Sequence, residues 1–251
     1  MKKYIILIPI YNDRESLTKL IENINSEIKD LNSEISVIVI NDASSQQIID
    51  QYQNTENINS IEIINMRENK GHARCNAHGI RYMSKTDEFD YLILMDGDGE
   101  DRPIEIKDLI KKIFNNQNTS VVAKRIKRSE GIFFQTLYQL HKVLVFIFTG
   151  KNINFGNYSC ITKEDVKILS DKPSLWSSFS GSFKKHIKNF NEIDSTRGLR
   201  YFGPSKMSLF KLAVHSLAII AVFKKEVFVR SAILIILLSF LSLETSIVAI
   251  I

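Results

Sequence analysis

Cysteine is scarce in this 251-residue chain, with Cys75 and Cys160 the only two. Two widely spaced thiols make neither a disulfide framework nor a metal site, so buried free thiols in a reducing compartment are expected. Two nucleotide-binding signatures are also missing. No G-x-x-x-x-G-K-[ST] phosphate loop occurs, and no G-x-G-x-x-G follows the first apolar run, which argues against the P-loop and dinucleotide folds. No long basic run interleaves with aromatics, so nucleic acid is not an expected partner despite the net charge of +5. That charge points instead to an anionic partner, either a membrane surface or a phosphorylated substrate. The opening MKKYIILIPI meets Pro9 too early for a signal peptide and no small-residue cleavage site follows. It reads as a first strand, with the bulk of the protein in the cytoplasm.

What is present is an alternation of short apolar runs with helical periodicities. Tyr4–Ile10, Ile35–Ile40, Ile61–Asn65, Tyr91–Met95 and Ser120–Lys124 read as strands. Leu17, Leu20, Ile21, Ile24, Ile28 and Leu31 follow a 3.6 period, with Asn12 or Asp13 placed to cap that helix. Further helices are expected from Gly71 to about Met83 and from about Pro103 to Phe114. The fold class is therefore α/β, a Rossmann-like, mostly parallel sheet with helices on both faces.

Polar residues gather where strands end: Tyr11-Asn12-Asp13, Asp42, Asn69-Lys70-Gly71 and the run Asp96-Gly97-Asp98-Gly99-Glu100-Asp101. Ligands bind at strand carboxyl ends in open α/β sheets, so these four clusters predict one nucleotide-binding edge. Tyr11 is suited to stack on a base, Asp42 to accept hydrogen bonds from base or ribose, and Gly71 to offer helix-terminal amides to a diphosphate. Four carboxylates within six residues repel one another, and a hard divalent cation such as Mg²⁺ or Mn²⁺, sharing its shell with phosphate oxygens, offsets that repulsion.

These segments together resemble the family-2 glycosyltransferases of GT-A fold. The string Asp96 to Pro103 is similar to a motif of the polyprenyl-phosphate sugar transferases, the dolichol-phosphate mannose synthase group. The resemblance covers about residues 3–230. It implies a nucleotide-sugar donor (UDP- or GDP-linked), a divalent metal and inversion at the anomeric carbon. Pro9, Tyr11, Asp13, Asp42, Lys70, Gly71, Asp96 and Gly97 would then line the donor. Asp98 matches the principal metal-binding aspartate, with Asp96 on ribose or metal, and Glu100 stands at a ligand position that the group usually fills with Gln.

The acceptor half follows. Arg125 matches a family arginine near the acceptor phosphate, and Arg128 extends the same basic segment. Asn157 and Ser159 stand where the group carries an Asp and an Arg, a departure that leaves the acceptor open. Glu164-Asp165 suggests an acidic base, but Thr162 with Asp165 three residues on reads better as a helix cap. RGLRYFGPSKMS, from Arg197 to Ser208, resembles the family's R-x-x-G-x-SK loop and assigns Arg200, Ser205 and Lys206 to phosphate. Asp98, Arg125, Arg200 and Lys206 form the expected catalytic set.

The expected organisation is a glycosyltransferase domain over 1–208, with a donor half to about 124 and an acceptor half from about 125. A juxtamembrane amphipathic helix over 209–230 and a transmembrane segment over 231–251 follow. The helix or helix pair expected over Gly131–Thr149 suits the membrane interface. Lys224, Lys225 and Arg230 favour a cytoplasmic catalytic side. The function expected is transfer of a sugar from nucleotide-sugar to polyprenyl phosphate at a membrane. Transfer to a glycan or lipid-linked saccharide, and a non-catalytic scaffold, are the alternatives. Membrane lipid is a partner in each, and self-association into a homo-oligomer is compatible with all three.

Overall fold

The computed structural model describes residues 1–47, 52, 55–116, 119–127, 132–204 and 209–248. Seven strands form one sheet in the order β3-β2-β1-β4-β6-β5-β7. Their ranges are β1 Lys2–Ile10, β2 Ser33–Asn41, β3 Ile61–Asn65, β4 Tyr91–Leu94, β5 Val121–Lys127, β6 Phe155–Thr162 and β7 Asn191–Thr196. β1 pairs in parallel with both β2 and β4, and β5 with β7, whereas β6 runs antiparallel between β4 and β5. The sheet is mostly parallel, as the alternating pattern predicts. The five expected strands are all present.

The two strands not foreseen are the ones with weak apolar signals. β6 begins Phe-Gly-Asn, and glycine and asparagine are depleted in strands. β7 reads NEIDST, a polar edge strand whose pairing to β5 rather than its composition makes it a strand.

Alternation along β1 explains the layers. Tyr4, Ile6, Ile8 and Ile10 face one side, against Leu17, Leu20, Ile21 and Ile24 of α1 (Arg14–Ile28) and Leu109 and Ile113 of α3 (Ile106–Asn115). Leu7 faces the other side with Ile38, Leu92 and Leu94, under Ala77, Ile80 and Met83 of α2 (His72–Met83). That face is completed by Val166 and Leu169 of α5 (Lys163–Ser170) and by Phe179 and Phe183 of α6 (Phe179–His186). A period of two in the strands and 3.6 in the helices thus buries both faces. Cys75 and Cys160 are buried free thiols.

Three helices stand outside this sandwich: α4 (Ile132–Thr149), α7 (Leu209–Val222) and α8 (Lys224–Val248). The segment expected to be a helix or helix pair is one helix, α4. Among the described residues no helix is long and apolar enough to cross a membrane. The expected span falls within α8, which begins earlier, at Lys224, while residues 249–251 lie outside the described set.

The chain reverses its direction across the sheet between β1 and β4, since β2 and β3 lie on one side of β1 and β4 on the other. Such a switch leaves a crevice at the strands' carboxyl ends. Backbone strain collects there, with Asn12 at φ 48° and Ala43 at φ 55° just beyond β1 and β2.

Gly79 on α2 faces Leu7, and a Cβ there would lie 2.5 Å from both Leu7 methyls, which are fully buried. Gly79→Ala is expected to lower the unfolding free energy by about 1–3 kcal/mol. The check is the urea midpoint at unchanged slope, and an unaltered midpoint would mean that Leu7 can repack.

Candidate active site

The crevice is built around the turn from Asp96 to Asp101, immediately after β4. Gly97 packs against β1, where a Cβ would meet the Pro9 carbonyl oxygen at 2.9 Å. Gly99 has φ +90°, a conformation that side chains resist, and the Tyr201 ring occupies the space its side chain would need. The two glycines therefore let an acidic turn fold tightly between β1 and the segment after β7.

Each carboxylate of the turn is met by a partner from a different element. Asp96 Oδ1 lies 3.2 Å from His72 Nε2 and accepts from Asn157 Nδ2 at 3.2 Å, and Asp96 Oδ2 faces Arg125 at 4.0 Å. Asp98 Oδ2 accepts from Arg200 at 2.6 Å, and Asp98 Oδ1 accepts from the Glu100 amide at 3.0 Å. The same Arg200 guanidinium donates to Asp13, so it bridges the ends of β1 and β4. Glu100 pairs with Arg197. Buried Asp101 accepts from Arg125 at 3.3 Å and from the Asp96 amide at 3.0 Å.

Asp13 illustrates the competition between local and long-range demands. It occupies the capping position of α1 but makes no side-chain cap hydrogen bond, because its carboxylate turns to Arg200. Asn12 is drawn off likewise, its Oδ1 accepting from the Ser45 amide at 2.8 Å.

The electrostatics follow from crowding. Burial and the charges of Asp96 and Glu100 push Asp98 up to about 6. Burial, then Asp96, pushes Asp101 up to about 7. Asp96 moves the other way: burial opposes its charge, yet His72, Arg125 and Asn157 hold it well below the usual carboxylate range. His72 is raised in return: burial disfavours its cation most, but the charge and hydrogen bond of Asp96, with Asp101 and Asp98, together outweigh it.

Arg197 and Arg200 are delivered by a second device. Glu105, almost fully buried, accepts from Arg102 at 2.8 Å, from the Ser195 hydroxyl at 2.7 Å and from the Thr196 amide at 3.1 Å. This ties the end of β7 to the turn after the acidic run. The Gly198 and Tyr201 amides then donate to the Glu100 and Asp98 carbonyls at 2.8 and 3.0 Å.

The structure separates the expected site residues. Asp13, Asp96, Asp98, Glu100, Arg125, Asn157 and Arg200 come together around one turn. Asp42, Lys70 and Gly71 meet one another instead: buried Asp42 accepts from the Lys70 amide at 2.7 Å and the Gly71 amide at 2.9 Å. Asp42 thus holds the start of α2, and the Lys70 ammonium pairs with Glu68. Pro9 is buried and contributes its carbonyl edge, while Tyr11 stands 45% exposed at the rim. Ser159 is fully buried in β6, with its hydroxyl donating to the Asn157 carbonyl at 2.8 Å, and makes no hydrogen bond to the acidic turn. Arg128, Ser205 and Lys206 lie outside the described residues.

Asp165 is likewise no base in this arrangement. Its amide donates to Thr162 Oγ1 at 3.2 Å, the expected cap, and its carboxylate accepts from Ser120. Sequence reasoning missed His72 and Glu105 as contributors to the site, and named Asp101 only as part of the acidic run. His72 directly follows the glycine that opens α2, which was the available signal. Glu105 reads as a helix acid until β7 is placed.

The acidic turn suits a hard cation. Asp13, Asp96, Asp98, Glu100 and Asp101 gather here against the guanidiniums of Arg125, Arg197 and Arg200, and a divalent cation would offset the remaining negative charge. Among the described residues, no group of three or more His, Cys, Asp or Glu side chains is gathered to hold a metal ion alone. A cation at Asp98 would take its remaining ligands from phosphate oxygens or water.

The family model for glycosyl transferase family 2 matches residues 5–202. The chain belongs to glycosyl transferase family 2. The matched region holds every carboxylate of the acidic turn and all seven strands but for the first three residues of β1. An undecaprenyl-phosphate 4-deoxy-4-formamido-L-arabinose transferase of Photorhabdus laumondii is 27% identical over 224 residues, covering 84% of this chain and 65% of that protein. Its counterpart from Yersinia enterocolitica is 26% identical over 84% of this chain and 64% of that protein. The chain thus spans slightly under two-thirds of these relatives' length. Among solved structures, glucosyl-3-phosphoglycerate synthase from Mycobacterium tuberculosis, in complex with Mn²⁺, UDP-glucose and phosphoglyceric acid, superposes with a TM-score of 0.61. That match has 14% identity and covers 90% of this chain and 80% of that one. TarS of S. aureus (residues 1–349) gives 0.51 at 14% identity, over 78% of this chain and 60% of that one. At such identities the likeness shows the GT-A type of fold.

Asp42→Ala is expected to destabilise the ligand-free protein by about 1–3 kcal/mol, since two helix-start amides lose a buried acceptor. Chemical denaturation checks this. Unchanged stability with lost nucleotide binding would instead make Asp42 a base-reading residue.

Proposed function

We propose that this glycosyltransferase moves a sugar from a nucleoside-diphosphate donor to polyprenyl phosphate, with inversion, at the cytoplasmic face of a membrane. The observation that carries this reading is a cluster of guanidiniums at an acidic turn, beside helices whose apolar residues face outward. The family relatives named for undecaprenyl phosphate support the acceptor, and the Mn²⁺–UDP-glucose complex of the fold neighbour supports a metal-bound nucleotide donor.

In the proposed reaction an acceptor phosphate oxygen attacks the anomeric carbon as the bond to the leaving diphosphate breaks. A phosphate nucleophile is already anionic, so no strong general base is needed. This agrees with Asp165 being spent on Thr162 and Ser120. Bound at Asp98, with Asp96 or Glu100 nearby, Mg²⁺ or Mn²⁺ would neutralise the diphosphate's charge. Arg125 and Arg200, with Lys206, Arg128 and Ser205 outside the described residues, are proposed to hold and orient phosphate oxygens. Tyr11, at the rim beyond β1, is proposed to stack on the base. Asn157 and His72 fix Asp96 so that it faces the donor in one orientation.

Membrane attachment is assigned to α4, α7 and α8. Phe146 and Ile147 of α4, Phe210 and Leu217 of α7, and Phe228, Ile235 and Phe240 of α8 are exposed. Isolated apolar residues on a surface need no explanation, but three neighbouring helices with continuous apolar faces do. A groove of about 520 Å³ between α4 and α8 is lined by Ile147, Phe148, Val229, Ile233, Leu234 and Leu237, with Arg230 at its edge. It is proposed to receive an acyl chain, with residues from 231 onward as the segment entering the bilayer. Lys224, Lys225 and Arg230 precede that segment and set it against anionic headgroups.

The test is organic-phase label from radiolabelled UDP- and GDP-sugars, with polyprenyl phosphate and Mn²⁺ or Mg²⁺. Asp98→Ala is expected to reduce transfer by about 10²-fold or more, of the order seen when a charge-stabilising group is removed. Donor hydrolysis with label only in water-soluble saccharide would move the acceptor assignment to a glycan.

A further inference from the structure

The segments that bring arginines to the acidic turn have two faces. Arg200 is buried against Asp98 and Asp13, with a side chain only 13% exposed, whereas Leu199 beside it is 76% exposed and Phe202 45% exposed. The pattern recurs at β5, where Arg125 is 16% exposed and its neighbour Ile126 is 53% exposed. β5 and β7 end side by side, with Lys127 opposite Thr196, so these outward apolar residues lie at the same end of the sheet. Both segments lead within a few residues into the apolar helices, β5 into α4 at Ile132 and the 197–204 loop into α7 at Leu209, where Phe210 is 77% exposed. These exposed apolar residues thus stand a few positions before the helices assigned to the membrane, with 128–131 and 205–208 outside the described residues. The inward face holds the loop shut through Arg200 to Asp98 and Asp13, Arg197 to Glu100, and the Gly198 and Tyr201 amides.

We propose that Ile126, Leu199 and Phe202 form a lipid-docking rim around the mouth of the site, and that docking of this rim on a phospholipid surface draws Arg200 off Asp98 and Asp13. Arg200 lies between Leu199 and Phe202 in a four-residue stretch, so an outward shift of that stretch on docking carries the Arg200 backbone with it. Freed Asp98 then accepts the cation of a metal–nucleoside diphosphate, and the donor site opens where the lipid acceptor lies. This rests on the membrane-acceptor reading above, and it adds that lipid acts on the donor site.

The experiment uses the full chain and vesicles of equal phosphatidylcholine and phosphatidylglycerol without polyprenyl phosphate. Leu199→Cys is labelled with an environment-sensitive fluorophore, which is selective because Cys75 and Cys160 are buried. Vesicles are expected to blue-shift and brighten the label at 199 and to leave unchanged a control label at exposed Lys29→Cys, at the opposite end of the sheet. UDP and GDP, each with saturating Mn²⁺, are then titrated with and without vesicles. At least one is expected to bind fivefold or more tightly on vesicles, and the Leu199→Ser/Phe202→Ser variant to lose that gain while still sedimenting with vesicles through α4, α7 and α8. An unmoved label at 199 overturns the docking. A shifted label with unchanged nucleotide affinity, or no binding of either nucleotide on vesicles, overturns the coupling. Failure of the polyprenyl-phosphate transfer assay is a separate result, since these vesicles contain no acceptor.

Discussion

Five carboxylates share one corner of the sheet, and their mutual repulsion is the constraint on which the site's architecture depends. Asp96, Asp98, Glu100 and Asp101 sit on one turn and Asp13 arrives from β1. Burial raises the pKa of Asp98 and Asp101, and the like charges beside them raise it further. The fold answers with partners from separate elements: His72 from α2, and the guanidiniums of Arg125 from β5 and of Arg197 and Arg200 from beyond β7. Each supporting feature is understandable as a means of delivering one of these. Antiparallel β6 brings Asn157 to Asp96, buried Glu105 anchors the end of β7, and Tyr201 fills the space above Gly99. Ion pairs of this kind contribute little net stability when their desolvation is counted, so their value lies in placing charge rather than in holding the fold together.

The same arrangement explains how a metal–diphosphate and an acceptor phosphate could be handled in one crevice. Under the proposed reaction, the guanidiniums that pair with these carboxylates would turn to phosphate once a divalent cation binds at Asp98. The charges are already gathered, so only their pairing would change. Preorganisation of this sort lowers the reorganisation that ligand binding and charge transfer would otherwise demand.

Much of the donor side was legible in the sequence because it rests on local rules. Apolar runs such as Ile35–Ile40 and the 3.6 period from Leu17 to Ile28 do not depend on distant partners, and the strand-end clusters follow from them. Thr162 as a cap is equally local. What could not be read is long-range. β7 is polar and becomes a strand only through β5. Ser159 is turned inward by a strand that the Gly156-Asn157 composition concealed. Asp13 reads as a helix cap until Arg200, 187 positions later, claims its carboxylate. Asp42 and Gly71 each suggest a ligand, yet they satisfy one another, a pairing that spacing alone does not reveal.

The most direct test of this charge-exchange picture is a crystal structure of the protein with Mn²⁺ and the nucleoside diphosphate it binds. The expected result is the cation on Asp98 with the Arg200 guanidinium displaced from Asp98 and Asp13 toward the phosphates, while His72 and Asn157 stay on Asp96. A structure with nucleotide bound and the Arg200 bridge to Asp98 and Asp13 intact, or with the cation elsewhere, would contradict it.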